Sequence, residues 1–100
     1  MNTDFRTWPV MEKVLFLFAG ILVNLNARNV LISRIYFDET TEVTRACFTV
    51  GSARHGLVLF PGPRIRLMMD GVEIATISPE RKNANRARTH FIQAIKASLP

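Results

Sequence analysis

Cysteine is nearly absent from this chain, which excludes a fold held together by disulfides. The 100 residues contain a single cysteine, Cys47, so no internal disulfide can form. Such usage is typical of a reducing compartment, and we expect a cytoplasmic protein. Neither histidine lies near Cys47 in the sequence, so the base that a nucleophilic cysteine needs is missing. We interpret Cys47 as a small hydrophobic residue buried in a strand.

The chain also lacks an apolar run long enough to cross a bilayer. The run Val14–Val23 has ten residues, whereas a transmembrane helix needs about 20. We interpret this run as part of the protein core. Two alternatives stay open: a membrane-associated helix, or an export signal with Lys13 as its basic region and Leu25-Asn26-Ala27 as its cleavage site. Leu25 is larger than the residue that such a cleavage site prefers.

Motifs for catalysis and metal binding are missing as well. His55 and His90, together with the one cysteine, do not have the spacing of a zinc site. Gly51–Gly56 has the outline of a phosphate loop but lacks the following lysine and hydroxyl residue. The acids within 38–42 indicate a solvated hairpin tip rather than a cation site. We therefore expect no enzyme activity, no metal and no cofactor.

Aromatic residues outside apolar runs are scarce. The chain has one tryptophan, Trp8, and one tyrosine, Tyr36, while its seven phenylalanines lie mostly within apolar runs. We interpret the phenylalanines as core residues. The sequence therefore does not predict a surface of exposed rings on which nucleic-acid bases stack.

The pattern of hydrophobic residues predicts a single α+β domain over residues 1–100. We expect an antiparallel sheet of four to five strands, with a basic amphipathic C-terminal helix and an N-terminal helix packed on one face. Residues 1–7 are polar, and we expect them to be loose. We predict a helix from Trp8 to Ala19 and then a strand, Ile21–Leu25. The alternative is a strand in place of the helix, because periodicity does not separate buried strands from buried helices.

Branched and aromatic residues predict strands at Val30–Phe37 and Val43–Val50. In the second strand we expect one face to carry Thr44, Ala46, Phe48 and Val50. We predict a loop at Gly51–Gly56, a short strand at Leu57–Phe60, and a stiff turn at 61–63.

Asp70-Gly71 is a strong signal for a two-residue hairpin turn between strands Ile65–Met69 and Val72–Ile77. We expect these pairs on the core face: Met69 with Val72, Leu67 with Ile74, and Ile65 with Thr76. On the opposite face we expect Arg64, Arg66, Met68, Glu73, Ala75 and Ile77. Arg66 would then form a salt bridge with Glu73 on the diagonal.

Positive charge is concentrated in the second half of the chain. Residues 1–50 hold five bases and five acids, whereas residues 51–100 hold eight bases and three acids. Five of those bases lie in a predicted helix that begins with Ser78 as N-cap and Pro79 as its first residue, and that ends near Ser98. We expect the following apolar stripe: Ala84, Ala87, Phe91, Ala94, Ile95 and Leu99. We expect the opposite face to carry Lys82, Arg86, Thr89, His90, Gln93 and Lys96.

A cationic helix of this kind indicates an anionic partner. We hypothesise a small regulatory or nucleic-acid-binding module that contacts its partner through Arg64, Arg66, Arg81, Lys82, Arg86, Arg88 and Lys96. The alternative is an adaptor or inhibitor that docks an acidic protein surface. A solvated helix face would also explain these cations. A homodimer formed through sheet edges or the N-terminal apolar segment is a further hypothesis.

Overall fold

Two helices pack against one face of a five-stranded antiparallel sheet in a computed structural model of the protein, which describes residues 4–26 and 29–99. The first described element is a short 3-10 turn at Phe5–Thr7. The elements that follow are α1 (Val10–Asn26), β1 (Val30–Phe37), β2 (Thr44–Val50), β3 (Ala53–Phe60), β4 (Ile65–Met69), β5 (Val72–Ile77) and α2 (Ala84–Ser98). This arrangement confirms the predicted α+β fold.

The N-terminal segment is tied to the rest of the fold. Phe5 is fully buried, and its N–H donates a hydrogen bond to the carbonyl of Lys82 at 2.8 Å. Asp4 and Asn83 form an antiparallel bridge beside it. The prediction of a loose segment is therefore wrong for residues 4–7, while residues 1–3 lie outside the described part of the chain.

Helix α1 does not stop at Gly20, and the predicted strand Ile21–Leu25 does not form. Ile21 and Leu25 extend the buried stripe begun by Val14 and Leu17, and burying them in one continuous helix satisfies the backbone within that helix. The run Val14–Val23 is thus part of a core helix. Ala27, the last residue of the hypothetical cleavage site, lies outside the described residues. None of the described helices is both long and apolar enough to cross a membrane.

The sheet is a meander in which every strand pairs with its neighbours in sequence. Gly51–Gly56 is not a loop, because β3 already begins at Ala53 and pairs back along β2. Gly51 has a φ of 62°, and this left-handed conformation lets the chain reverse within two residues. The predicted alternation in β2 is confirmed, since Thr44, Ala46 and Phe48 are buried beneath the helices.

The hairpin at Asp70-Gly71 forms as predicted, but its register is correct only next to the turn. Met69 pairs with Val72. A bulge then shifts the register, so that Leu67 pairs with Ala75 and not with Ile74. The extra residue on β5 reverses the faces beyond it, because successive side chains in a strand point to opposite sides.

The shifted register changes which residues of β5 enter the core. Ala75 and Ile77 are buried, although the sequence predicts them on the outer face. Ile65 accordingly pairs with Ile77 rather than with Thr76. Val72 is 62% exposed, because it lies at the hairpin end of the sheet.

Helix α2 begins later than predicted, at Ala84. Its N-cap is Asn83, whose side chain accepts a hydrogen bond from the N–H of Arg86. Ser78 instead starts a turn, in which its hydroxyl oxygen accepts from the N–H of Glu80 at 3.1 Å and its carbonyl accepts from that of Arg81 at 3.1 Å. The turn completes its own hydrogen bonds, so it competes with a helix start at this position.

The predicted apolar stripe of α2 is confirmed, since Ala87, Phe91 and Ile95 are buried against α1 and the sheet. Among the described residues, no helix covers the opposite face of the sheet. Cys47 lies on that uncovered face and is exposed, so its predicted burial is wrong. The reason is that β2 buries Ala46 and Phe48, and the residue between them must point away from the helices.

Candidate functional site

Four of the seven cations that the sequence singles out lie on the exposed side of α2 or in the segment just before it. Arg81 and Lys82 precede the helix, Arg86 lies in its first turn, and Lys96 lies near its end. All four side chains are exposed, and none forms an ion pair within residues 4–26 and 29–99. A rise of 1.5 Å per residue puts Lys96 about 15 Å from Arg86 along the axis. The dense part of this surface is therefore the N-terminal end of α2.

A shallow groove of about 420 Å³ lies along this end of the helix. Its walls combine two cations with amide, hydroxyl and imidazole groups, from Arg81, Asn83, Asn85, Arg86, Thr89, His90 and Gln93. The helix dipole adds partial positive charge at the same end. An anion on this surface would meet both fixed cations and hydrogen-bond donors.

Two acids reduce the positive potential here. Asp4 accepts hydrogen bonds from Arg6, with Nη2 at 2.8 Å from Oδ2, and these bonds lower the pKa of Asp4 while they raise that of Arg6. Lys82 and Glu80 are close enough to act on this pair through their charges. We define the α2 basic surface as Arg81, Lys82 and Arg86.

Arg88 does not belong to that surface. Its side chain is half-buried between the two helices, with the guanidinium carbon 4.8 Å from the ring centre of Phe16. Its Nη2 donates to Oδ1 of Asn85 at 3.3 Å. Its methylene groups cover Gly20, where a side chain would overlap with them. Arg88 therefore joins α2 to α1, and its position favours a structural role.

Arg64 and Arg66 are also separated from α2. Ile65 and Leu67 are buried under the helices, so Arg66 between them points to the other side of the sheet. Its guanidinium is 3.5 Å from Oε1 of Glu73, which confirms the predicted salt bridge. Arg64 is exposed just before β4. The seven predicted contact residues thus do not form one continuous surface.

The uncovered face of the sheet holds a second group of cations, and the sequence prediction included only Arg66 among them. The basic residues of the five strands are Arg34, Arg45, Arg54 and Arg66, and their register places all of them on this face. The alternation along β2 already places Arg45 outside. The net charge of residues 1–50 is zero and does not reveal this group. The acids that cancel Arg34 and Arg45 in that sum lie outside the strands.

No three side chains of His, Cys, Asp or Glu come together as a metal site within 4–26 and 29–99. His55 instead forms a hydrogen bond through Nδ1 to Oδ2 of Asp70 at 2.8 Å and stacks on Phe48. The N–H of Gly56 donates to the same carboxylate at 2.8 Å. Both hydrogen bonds lower the pKa of Asp70, and the bond with His55 has the larger effect. This cluster joins the β4–β5 turn to β3.

Several exposed side chains on α1 and β1 are apolar, among them Leu15, Val23 and Leu31. They agree with the homodimer hypothesis, which stays a prediction.

Comparisons with protein-family models, with curated proteins and with solved structures give no match.

Proposed function

We propose that this protein is a small nucleic-acid-binding module whose α2 basic surface contacts the phosphate backbone. The observation that carries the proposal is the set Arg81, Lys82 and Arg86: three exposed cations at one helix end, without an ion pair in the described residues. Cations that are not held in ion pairs can displace the counterions that surround a nucleic acid. Such a module would act in the cytoplasm, where the exposed thiol of Cys47 stays reduced.

The shape of the surface favours backbone contact over base reading. The groove beside Arg86 is shallow, and its polar residues are hydrogen-bonding side chains of modest length such as Asn85 and Thr89. Contacts of this kind fix a protein on a phosphate chain without reading sequence. We therefore expect binding that depends strongly on salt and weakly on sequence.

The test is a titration of the protein with a labelled 16-base-pair duplex at several salt concentrations. The variant carries Lys82→Gln and Arg86→Gln, which remove two cations. If each contacts one phosphate, the slope of log K against log salt becomes shallower by about 1.8. Thr40→Glu with Ser52→Glu is the matched control, because it lowers the net charge equally at exposed positions on hairpin turns.

Equal weakening by the variant and the control would contradict the proposal, since only overall charge would then matter. Absence of duplex binding at low salt would contradict it too, and would favour the alternative of an acidic protein partner. The side chains of Lys82 and Arg86 are both exposed, and circular dichroism checks that the variants fold.

A further inference from the structure

Arginines and aromatic rings alternate across the face of the sheet that the helices leave uncovered. Tyr36 of β1 pairs with Arg45 of β2, and Arg34 points to the same side two residues before Tyr36. Phe60 of β3 pairs with Arg66 of β4 one row further along. Strand neighbours on the diagonal have side chains about 7–8 Å apart. The register thus produces a diagonal band that we call the sheet band: Arg34, Tyr36, Arg45, Phe60 and Arg66.

The charge of this face is positive and almost unopposed. Glu73 is the one acid in the five described strands, and it lies beside Arg66. Arg34, Arg45 and Arg54 are exposed and form no ion pair within the described 4–26 and 29–99. A face with four arginines and one glutamate is complementary to a polyanion.

The aromatic groups of the sheet band add the capacity to stack on a flat ligand. Tyr36 is 50% exposed, so a large part of its ring is open to a flat ligand. Phe60 is half-buried, and the guanidinium of Arg66 lies 4.8 Å above its ring. Both a tyrosine ring and a guanidinium plane can stack on a nucleic-acid base.

A depression between the first two strands is lined by both cationic and aromatic side chains. It has a volume of about 250 Å³ and is lined by Arg34, Tyr36, Arg45 and Cys47. Gly56 pairs with Cys47 on the next strand, and the space above it is empty because it has no side chain. An anionic group in the depression would have two arginines and a phenol hydroxyl within reach.

We propose that the sheet band binds single-stranded nucleic acid, with Arg34 and Arg45 on backbone phosphates and with bases stacked on Tyr36 and on the pair of Phe60 and Arg66. Bases in a duplex are stacked on one another and cannot lie flat on a sheet, whereas a single strand exposes them. An acidic protein patch would be matched by the arginines but would not use exposed rings in this way. This surface is separate from the α2 basic surface, so the inference does not depend on the proposed function.

The experiment measures anisotropy of labelled 12-nucleotide oligo(dT) and oligo(U), with a 12-base-pair duplex as the third probe. Tyr36→Ala should weaken binding of the single strands by about 5- to 150-fold, the range for loss of one stacked base. Tyr36→Phe, which keeps the ring, should restore most of the affinity. The duplex affinity should not change, because the ring does not contact a duplex.

A second variant tests the phosphate contacts. Arg34→Gln with Arg45→Gln should make the salt slope for a single strand shallower by about 1.4, if each arginine contacts one phosphate. The same pair, Thr40→Glu with Ser52→Glu, serves as the charge-matched control. The substituted residues are exposed, so these variants should fold like the wild type.

The outcomes separate the two proposals. Single-strand binding that depends on Tyr36, without duplex binding, supports the sheet band and contradicts the proposed role of α2. Duplex binding that depends on Arg86, with single-strand binding unaffected by Tyr36→Ala, supports the proposed role of α2 and contradicts the sheet band. Equal losses with Tyr36→Phe and Tyr36→Ala overturn the stacking argument. Loss of self-association in Tyr36→Ala, with unchanged oligonucleotide binding, would show a dimer interface instead and overturn the inference.

Discussion

Replacing Gly20 by alanine should have little effect on stability in the wild type but should stabilise a variant that lacks the Arg88 side chain. A glycine inside a helix costs about 1 kcal/mol relative to alanine, so Gly20→Ala would ordinarily be favourable. A methyl group at this position would overlap with Cδ of Arg88. Arg88 would have to leave its place above the ring of Phe16, and a cation–π contact at a partly exposed site contributes about 0.5–1 kcal/mol.

These two effects nearly cancel, so we expect Gly20→Ala to change the free energy of unfolding by less than about 0.5 kcal/mol. In the background of Arg88→Ala nothing opposes the gain, and the same change should add about 1 kcal/mol. For a domain of this length, that corresponds to a rise in Tm of about 4–8 °C. Urea unfolding followed by far-UV circular dichroism measures all four members of this double-mutant cycle.

Arg86→Ala provides the matched control, because it removes an exposed arginine of the same helix that does not cover Gly20. Gly20→Ala should behave there as it does in the wild type. Equal stabilisation by Gly20→Ala in the backgrounds of wild type, Arg86→Ala and Arg88→Ala would refute the reasoning, since it would show that Arg88 does not rest on Gly20.

Two further predictions concern the cap of α2 and the β4–β5 turn. Asn83→Ala should lower the free energy of unfolding by about 1 kcal/mol through loss of the N-cap; a larger loss in Ser78→Ala, measured by urea unfolding, would contradict this position of the cap. The pKa of Asp70 is lowered from 3.8 by the bonds from His55 and Gly56, so its carboxylate stabilises the fold above about pH 4, and this contribution is lost as the pH falls through the lowered pKa. The difference in urea midpoint between wild type and Asp70→Asn should therefore shrink from pH 6 to pH 2, and a constant difference would exclude this linkage.

Local signals in the sequence were sufficient for most strands and for the Asp70-Gly71 turn, but not for the start of β3. Asp70-Gly71 supplies the two positive φ values of 54° and 80° that a tight hairpin needs, and the alternation of β2 separates its two faces. The bulge in β5 was not predictable, because Ile74 fits a regular strand equally well by composition. Only packing against the helices selects Ala75 and Ile77 for the core.

The course of α1 and the start of α2 depend on contacts between distant parts of the chain. Gly20 resembles a helix end, yet Arg88 covers it and the helix continues. Ser78-Pro79 resembles a helix start, yet Lys13 binds this segment and Phe5 binds the residues that follow it. Phe5 donates to the carbonyl of Lys82, and the buried Lys13 donates through Nζ to that of Pro79 at 2.8 Å. Single-sequence patterns do not contain these partners.

The candidate site was predictable only in part, for the same reason. The exposure of Arg86 follows from the helical pattern, whereas Arg81 and Lys82 lie before the helix. The grouping of Arg34, Arg45 and Arg66 requires the order of the strands and the knowledge that both helices lie on one side. These cations lie together because neighbouring strands bring them to one face of the sheet, although they are far apart in the sequence.

The meander has a consequence for the order in which the protein folds. Each strand pairs with a sequence neighbour, so the sheet grows through short loop closures of low entropic cost. The contact between α1 and α2 joins opposite ends of the chain and has no such short route. We expect the strands to assemble first and the two helices to close over them last. During that interval the apolar side of the sheet is open to water, which makes helix docking the step at which aggregation competes with folding.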